Sequence, residues 1–351
     1  MGKLSRGEYF KLYDEKLKAE YFKGTRPLSD DTFEKQDLSR LKKAWKRLDT
    51  EKSRFTRGLI IAEIEGLHSN KPELFNYIEP SPDNSEEAED CLLYCLNEGL
   101  YNAVRKAADY KKGKLNLALM FYASEYPTSF GFRCDEIPSS QISASLIRGG
   151  ANPHAIIETQ MPTVDNKAKE ETALNTPFMY FLEKTAQSGK QPVIPSPERF
   201  SEFYDGCPFT LKDPQGETLF SLFIKRRLYK KAEELLSLMS KTLSPKEMNE
   251  AINIRRVDVH FKEVEKRYID VIEKLTFEKG DVAGVQKAQD NRKKMQQVQE
   301  KIHQFVEKNK QAAKNNAEEK KKAEKSANAP TQPEKNINPK VVELVQATFD
   351  F

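Results

Sequence analysis

Side chains suited to chemistry are sparse in this chain. Its 351 residues include four histidines, His68, His154, His260 and His303, and four cysteines, Cys91, Cys95, Cys134 and Cys207. A nucleophilic thiolate needs a base beside it. His154 and Cys207 are expected in neighbouring loops, so a Cys–His pair is the one nucleophilic arrangement the spacing allows. Both positions are equally well accounted for as loop-forming residues. There is no CxxC and no HExxH, and HAIIE, from His154 to Glu158, does not have a zinc spacing, so no metal site is expected. Cys91 and Cys95 stand four apart, on one helix face, where they read as small core residues. So few cysteines in so long a chain make no disulfide framework, and a reducing compartment is expected. The phosphate-cradling patterns GxxxxGKS/T and GxGxxG and the GxSxG elbow are also missing, so no cofactor is expected. The chain reads as a non-enzyme. The alternative is an enzyme with its active site in the flanking regions, 1–85 or 245–305.

Charge narrows the partners. Fifty-eight basic and 54 acidic residues leave a net charge of +4, too balanced to imply nucleic acid. Residues 287–340 hold 14 basic and 7 acidic residues, but acids are interleaved and no aromatic platform lies between Lys308 and Pro339, so specific nucleic-acid readout is not expected. KKKAEK, from Lys320, reads as a solvated run before it reads as a localisation patch. Apolar runs fall short of a bilayer span, and MGKLSRGEYF lacks the apolar stretch of a secretory signal. The expected location is cytoplasmic.

The elements that would position any site are helices. Tyr9, Phe10, Tyr13, Leu17, Tyr21 and Phe22 recur at helical spacing over 7–22. Further helices are expected over about 38–48, with Trp45, and about 50–67, with Phe55, Leu59, Ile60, Ile61 and Ile64 as the apolar face. A turn-rich break, EPSPDNSEE, places a boundary near 85. Residues 88–111 read as a helix pair interrupted at Gly99. SASLIRGGANPHA, from Ser143, ends a helix at Gly149 and Gly150, where the left-handed conformation favours glycine. In NTPFMYFLEK, Thr176 caps a helix that Pro177 begins. The same grammar returns in PERFSEFYDGCPFTLKDPQGETLFSLFIKRRLYKKAEELLSLM, with Gly206 closing one helix and Asp213, Gly216 and Thr218 forming a turn. Beyond 243, an amphipathic helix carries Phe261, Val264, Tyr268, Val271, Ile272 and Leu275. Met295, Val298, Ile302 and Phe305 then form a thin coiled-coil-like stripe, expected to pack back on the preceding helices. Lys308–Pro339 reads as a largely disordered basic tail, and VVELVQATFDF turns apolar again.

These residues resemble ankyrin repeats. LIRGGANPHA matches an outer-helix end and the following loop, FYDGCPFTLKDPQGETLF the loop, turn and next inner helix, NTPFMYFL the Thr-Pro start, and CLLYCLNEGLYNAV a helix–turn–helix. Arg227 stands where the family usually has glycine. The repeat period is near 33 residues, and Gly150 to Gly206 spans 56, so an insertion of roughly twenty is expected, at TQMPTVDNKAKEE (from Thr159) or QSGKQPVIPSPE (from Gln187). The resemblance implies an all-α fold: a degenerate ankyrin solenoid over 86–243, flanked by an N-terminal helical region (1–85), long C-terminal helices (244–307) and a tail (308–351).

By the family's geometry the concave surface would expose Tyr94, Asn97 and Glu98 in one repeat, Tyr180, Glu183 and Lys184 in the next, and Leu222, Lys225 and Arg226 in the last. These nine are the candidate partner-binding residues. Degenerate arrays with a Lys/Glu-rich tail look like type IV secreted effectors of intracellular bacterial pathogens. In those proteins a C-terminal signal directs secretion, and Glu318, Glu319, Glu324, Leu344 and Phe349 loosely match one. The expected function is that of a monomeric protein-interaction scaffold binding a host protein.

Overall fold

A computed structural model describes residues 4–23, 26–27, 35–71, 77–79, 89–90, 114–125, 143–163 (bar 145 and 148), 169–188, 191–279 and 281–327. Of the helix pair expected over 88–111, only Glu89 and Asp90 are described, as a short strand and not a helix; the rest lies outside the described residues, as do Cys91, Cys95 and Cys134. The described residues are mostly helical, 72% helix against 6% strand.

Helix α1 (Arg6–Phe22) starts at a reciprocal cap, the Ser5 hydroxyl accepting from the Glu8 amide and the Glu8 carboxylate from the Ser5 amide. It buries Tyr9, Phe10, Tyr13, Leu17 and Tyr21, the expected stripe. Helices α2 (Lys35–Thr50) and α3 (Arg54–Asn70) pack as a hairpin through Leu41, Ala44, Trp45 and Leu48 against Ile60, Ile64 and Leu67. Phe55 and Leu59, expected on that face, are 77% and 58% exposed. They sit in the first turns of α3, before its buried residues begin at Ile60.

Short strands β1 (Arg26–Pro27), β2 (Tyr77–Glu79) and β3 (Glu89–Asp90) pair in that order. Helix α4 (Lys114–Glu125) packs on α1 and on α5 (Pro177–Ser188). The insertion is a β-hairpin. Strand β4 (Ile157–Pro162) runs antiparallel to β5 (Glu170–Asn175), from Ile157 opposite Asn175 to Pro162 opposite Glu170. Thr159, Met161 and Ala173 face in and their neighbours face out, the period-two pattern of a half-buried hairpin. It occupies the first of the two expected places. The second, around residues 191–197, is a loop that buries Ile194.

Helices α6 (Leu219–Lys225) and α7 (Tyr229–Thr242) form a helix–turn–helix. The preceding turn is held by Asp213. Its Oδ1 accepts the Gln215 and Glu217 amides at 2.9 and 2.8 Å, its carbonyl accepts Gly216 N at 2.8 Å, and Gly216 takes φ +76°. Thr218 caps α6. Gly150 and Gly206 also take positive φ at the chain reversals where glycine was expected to end a helix.

Helices α8 (Pro245–Ile252), α9 (Ile254–Lys274) and α10 (Val282–Ala327) close the far side. Helix α9 lies on α6, and α10 lies on α8 and α9. Met295, Ile302 and Val306 are buried, with Val298 and Phe305 partly so, all packed into the main core. The thin stripe is therefore satisfied within one chain. Helix α10 continues past 307 to Ala327, because its Ala, Lys, Glu and Gln are good helix formers and no Gly or Pro interrupts them.

Candidate functional site

Two places hold the polar groups and open surface from which function is built. The first lies under α1. Glu183 is 1% exposed, yet it accepts Lys225 Nζ at 2.5 Å and Arg6 Nη2 at 3.0 Å. Lys225 also lies 3.8 Å from Glu217. Glu217 accepts the Ser221 hydroxyl at 2.8 Å and faces His260 Nε2 at 3.0 Å. Burial pushes the Glu217 carboxyl up, but the His260 hydrogen bond and charge, with Lys225 and Ser221, outweigh it and hold it below the usual range. Asp213 has only backbone donors. Burial, reinforced by the Glu183 and Glu217 charges, lifts its pKa to about 7.

This difference sets a pH dependence. Between about pH 4 and pH 7 Asp213 keeps its proton in the folded chain and loses it in the unfolded one. Its contribution to stability is full below pH 4 and falls as pH rises, by about tenfold in the folding equilibrium per unit. Glu217 acts with the opposite sign and loses its contribution as pH falls. Asp213→Asn, which keeps an acceptor for the two amides, is expected to remove the falling segment. Urea midpoints at pH 5 and pH 7 check this: an unchanged difference between them counts against the assignment.

The expected partner-binding residues are located as follows. Tyr94, Asn97 and Glu98 lie outside the described residues. Tyr180, Glu183 and Leu222, expected exposed, are buried at 0%, 1% and 0% exposure. The physical reason is twofold. Helix α1 lies across α5, with the Tyr13 ring 5.3 Å from that of Tyr180 and with Asp14 accepting both the Tyr180 hydroxyl and Lys184 Nζ. Helix α6 is enclosed by α5, α7 and α9, which buries all of Leu219–Ile224. Lys184 sits over the Phe10 and Tyr180 rings, and Lys225 is committed to Glu183. Arg226 is half-buried. The stretch read as an open concave face is thus internal packing. Sequence reading missed α1 as its cover.

The Cys–His pair is not poised for chemistry. His154 Nε2 bonds the Phe203 carbonyl at 2.7 Å, and burial lowers its pKa to about 4, leaving it neutral. Burial pushes the Cys207 thiol up, away from the thiolate. Among the described residues no His/Cys/Asp/Glu group has the arrangement to hold a metal ion, and no helix is long and apolar enough to cross a membrane.

The second place is a trough of about 580 Å³ between α9 and α10, within the usual range for binding clefts. Val264, Tyr268, Val271 and Leu275 form one wall, and Gly284, Ala288 and Asn291 the other. The spacings are those of a single helix face on each side. Arg227, Arg267 and Lys287 stand around it with Asp270. Arg227 occupies a left-handed conformation, φ 58°, which disfavours residues with a β-carbon by about 1–2 kcal/mol. The sequence signal for this site was Arg227 standing in place of glycine.

No family model matches the chain, and no match was found among curated proteins or solved structures.

Proposed function

We propose that this chain is a protein-binding scaffold that engages its partner through the α9–α10 surface. One observation carries the reading. Of the nine large hydrophobic residues exposed among the described residues, three stand at or beside the trough: Val271, Phe277 and Val282. Phe277 and Val282 are 86% and 81% exposed, at the turn beside the trough. Clustered apolar exposure next to a groove marks docking surfaces. The repeat-like turn at Asp213, the α6–α7 pair with Thr218 capping α6, and the glycine reversals support an ankyrin-type array as the platform. On the same resemblance, the partner is a host protein and the chain a secreted effector.

The test is a pull-down with the full chain as bait, against a Val271→Asp/Phe277→Asp bait. A host protein retained by the first and lost from the second is the expected result. Equal retention, or none, removes the reading.

A further inference from the structure

Resting on that reading, we propose that the trough takes an amphipathic helix of about three turns from a partner protein, with acidic residues flanking its apolar face. The shape comes first. The wall from Val264 to Leu275 spans eleven helical steps, about 16 Å at helical rise. An apolar helix face set beside a second helix with a low wall makes a cradle for a third helix. Ala288 keeps the α10 wall low, while the Asp281 carboxylate and the Leu275 side chain already cover Gly284.

Charge comes second. Arg227, Arg267 and Lys287 make no ion pair among the described residues. Arg292 and Lys301 of α10, away from the trough, are paired with Glu265 at 2.7 Å and Glu233 at 2.9 Å. These three cations outnumber the carboxylates there, Asp270 on the rim and Asp281 over Gly284, and leave the rim positive. Such a rim favours a partner with carboxylates beside its aliphatic contacts.

Backbone conformation comes third and is independent of the other two. Arg227 is held where glycine would be unstrained, and its side chain lines the trough. A strained residue at a cleft points to a role for its side chain. The role assigned here is to anchor a partner carboxylate.

The chain has an acid-bearing apolar stretch of its own, 341–351, with Glu343, Asp350 and no base. Its occupying the trough in place of a partner is an outcome of the test below.

The test uses the full chain and two labelled model peptides, each a three-turn amphipathic helix with a leucine face, one flanked by Glu and the other by Lys. The Glu peptide is expected to bind at least about tenfold tighter by fluorescence polarisation. Arg227→Gly is expected to weaken it about tenfold while raising the thermal midpoint by about 2–4 °C. That pairing separates lost contact from lost folding. Equal binding of both peptides, or Glu-peptide binding indifferent to Arg227→Gly and Val271→Asp, overturns the proposal. If the pull-down partner is lost on Val271→Asp while the Glu peptide fails to bind, the scaffold reading stands and the acidic-helix assignment falls. A mass by light scattering that grows with concentration and is abolished by Glu343→Lys/Asp350→Lys assigns the trough to a second copy's tail, and overturns the partner assignment.

Discussion

Lys225→Met is expected to lower the stability of the fold by about 3–5 kcal/mol. Lys225 Nζ is the charge between two carboxylates that solvent barely reaches: Glu183, 1% exposed, and Glu217, whose side chain is 3% exposed. A methionine of similar length preserves the packing and removes the charge. Glu183 keeps Arg6, but Arg6 is half exposed and compensates weakly. Like-charge repulsion among Glu183, Asp213 and Glu217 then grows. Urea denaturation at pH 7 measures the loss. Adding Glu183→Gln to the variant is expected to recover part of it, since the uncompensated buried charge goes with it. A loss under about 1 kcal/mol, or no recovery in the double variant, would show that water screens the cluster. Loss of partner binding by Lys225→Met would accordingly read as loss of fold, because the side chain is internal.

The second large effect is at Phe178, where alanine is expected to cost about 3–5 kcal/mol. Phe178 is fully buried at the start of α5. Its ring meets the edges or faces of His154, Phe203, Tyr204 and Phe223 at centroid distances of 5.2–6.3 Å. It therefore joins the loop at His154, the 3-10 turn Ser201–Tyr204 and helix α6. Truncation leaves a cavity among groups fixed by other bonds, including the Tyr204 hydroxyl to the Pro195 carbonyl at 2.8 Å, so collapse is limited. Phe55→Ala, at a ring 77% exposed, is expected to change stability by no more than about 0.5 kcal/mol. Similar thermal midpoints for the two variants would contradict the packing described here.

Most helices were legible because their signals are local. The Tyr9–Tyr21 stripe and Thr176–Pro177 at the start of α5 are read from residues a few positions apart. Gly150, Gly206 and Gly216 were legible for the same reason, since a left-handed residue is a local demand. The β4–β5 hairpin was placed only as an insertion, although Ile157–Met161 carries the alternation that marks a strand. The trough was half legible. The amphipathic stripe of α9 was read from Phe261 to Leu275, but not which part of it stays uncovered.

The sequence by itself determined where helices start, stop and turn, since capping, glycine conformation and apolar period depend on neighbours a few residues away. Only the tertiary structure decided which faces remain open. Tyr180, Glu183 and Leu222 were expected at the surface, and they are internal because α1, some 170 residues earlier, and α9, some 40 later, pack over their helices. Conversely, Val271, on the apolar stripe read in α9, is 46% exposed, because α10 packs on α9 and leaves that end of the stripe uncovered. Burial is a property of pairs of elements, and a period of 3.6 residues records that a face is apolar without recording what covers it.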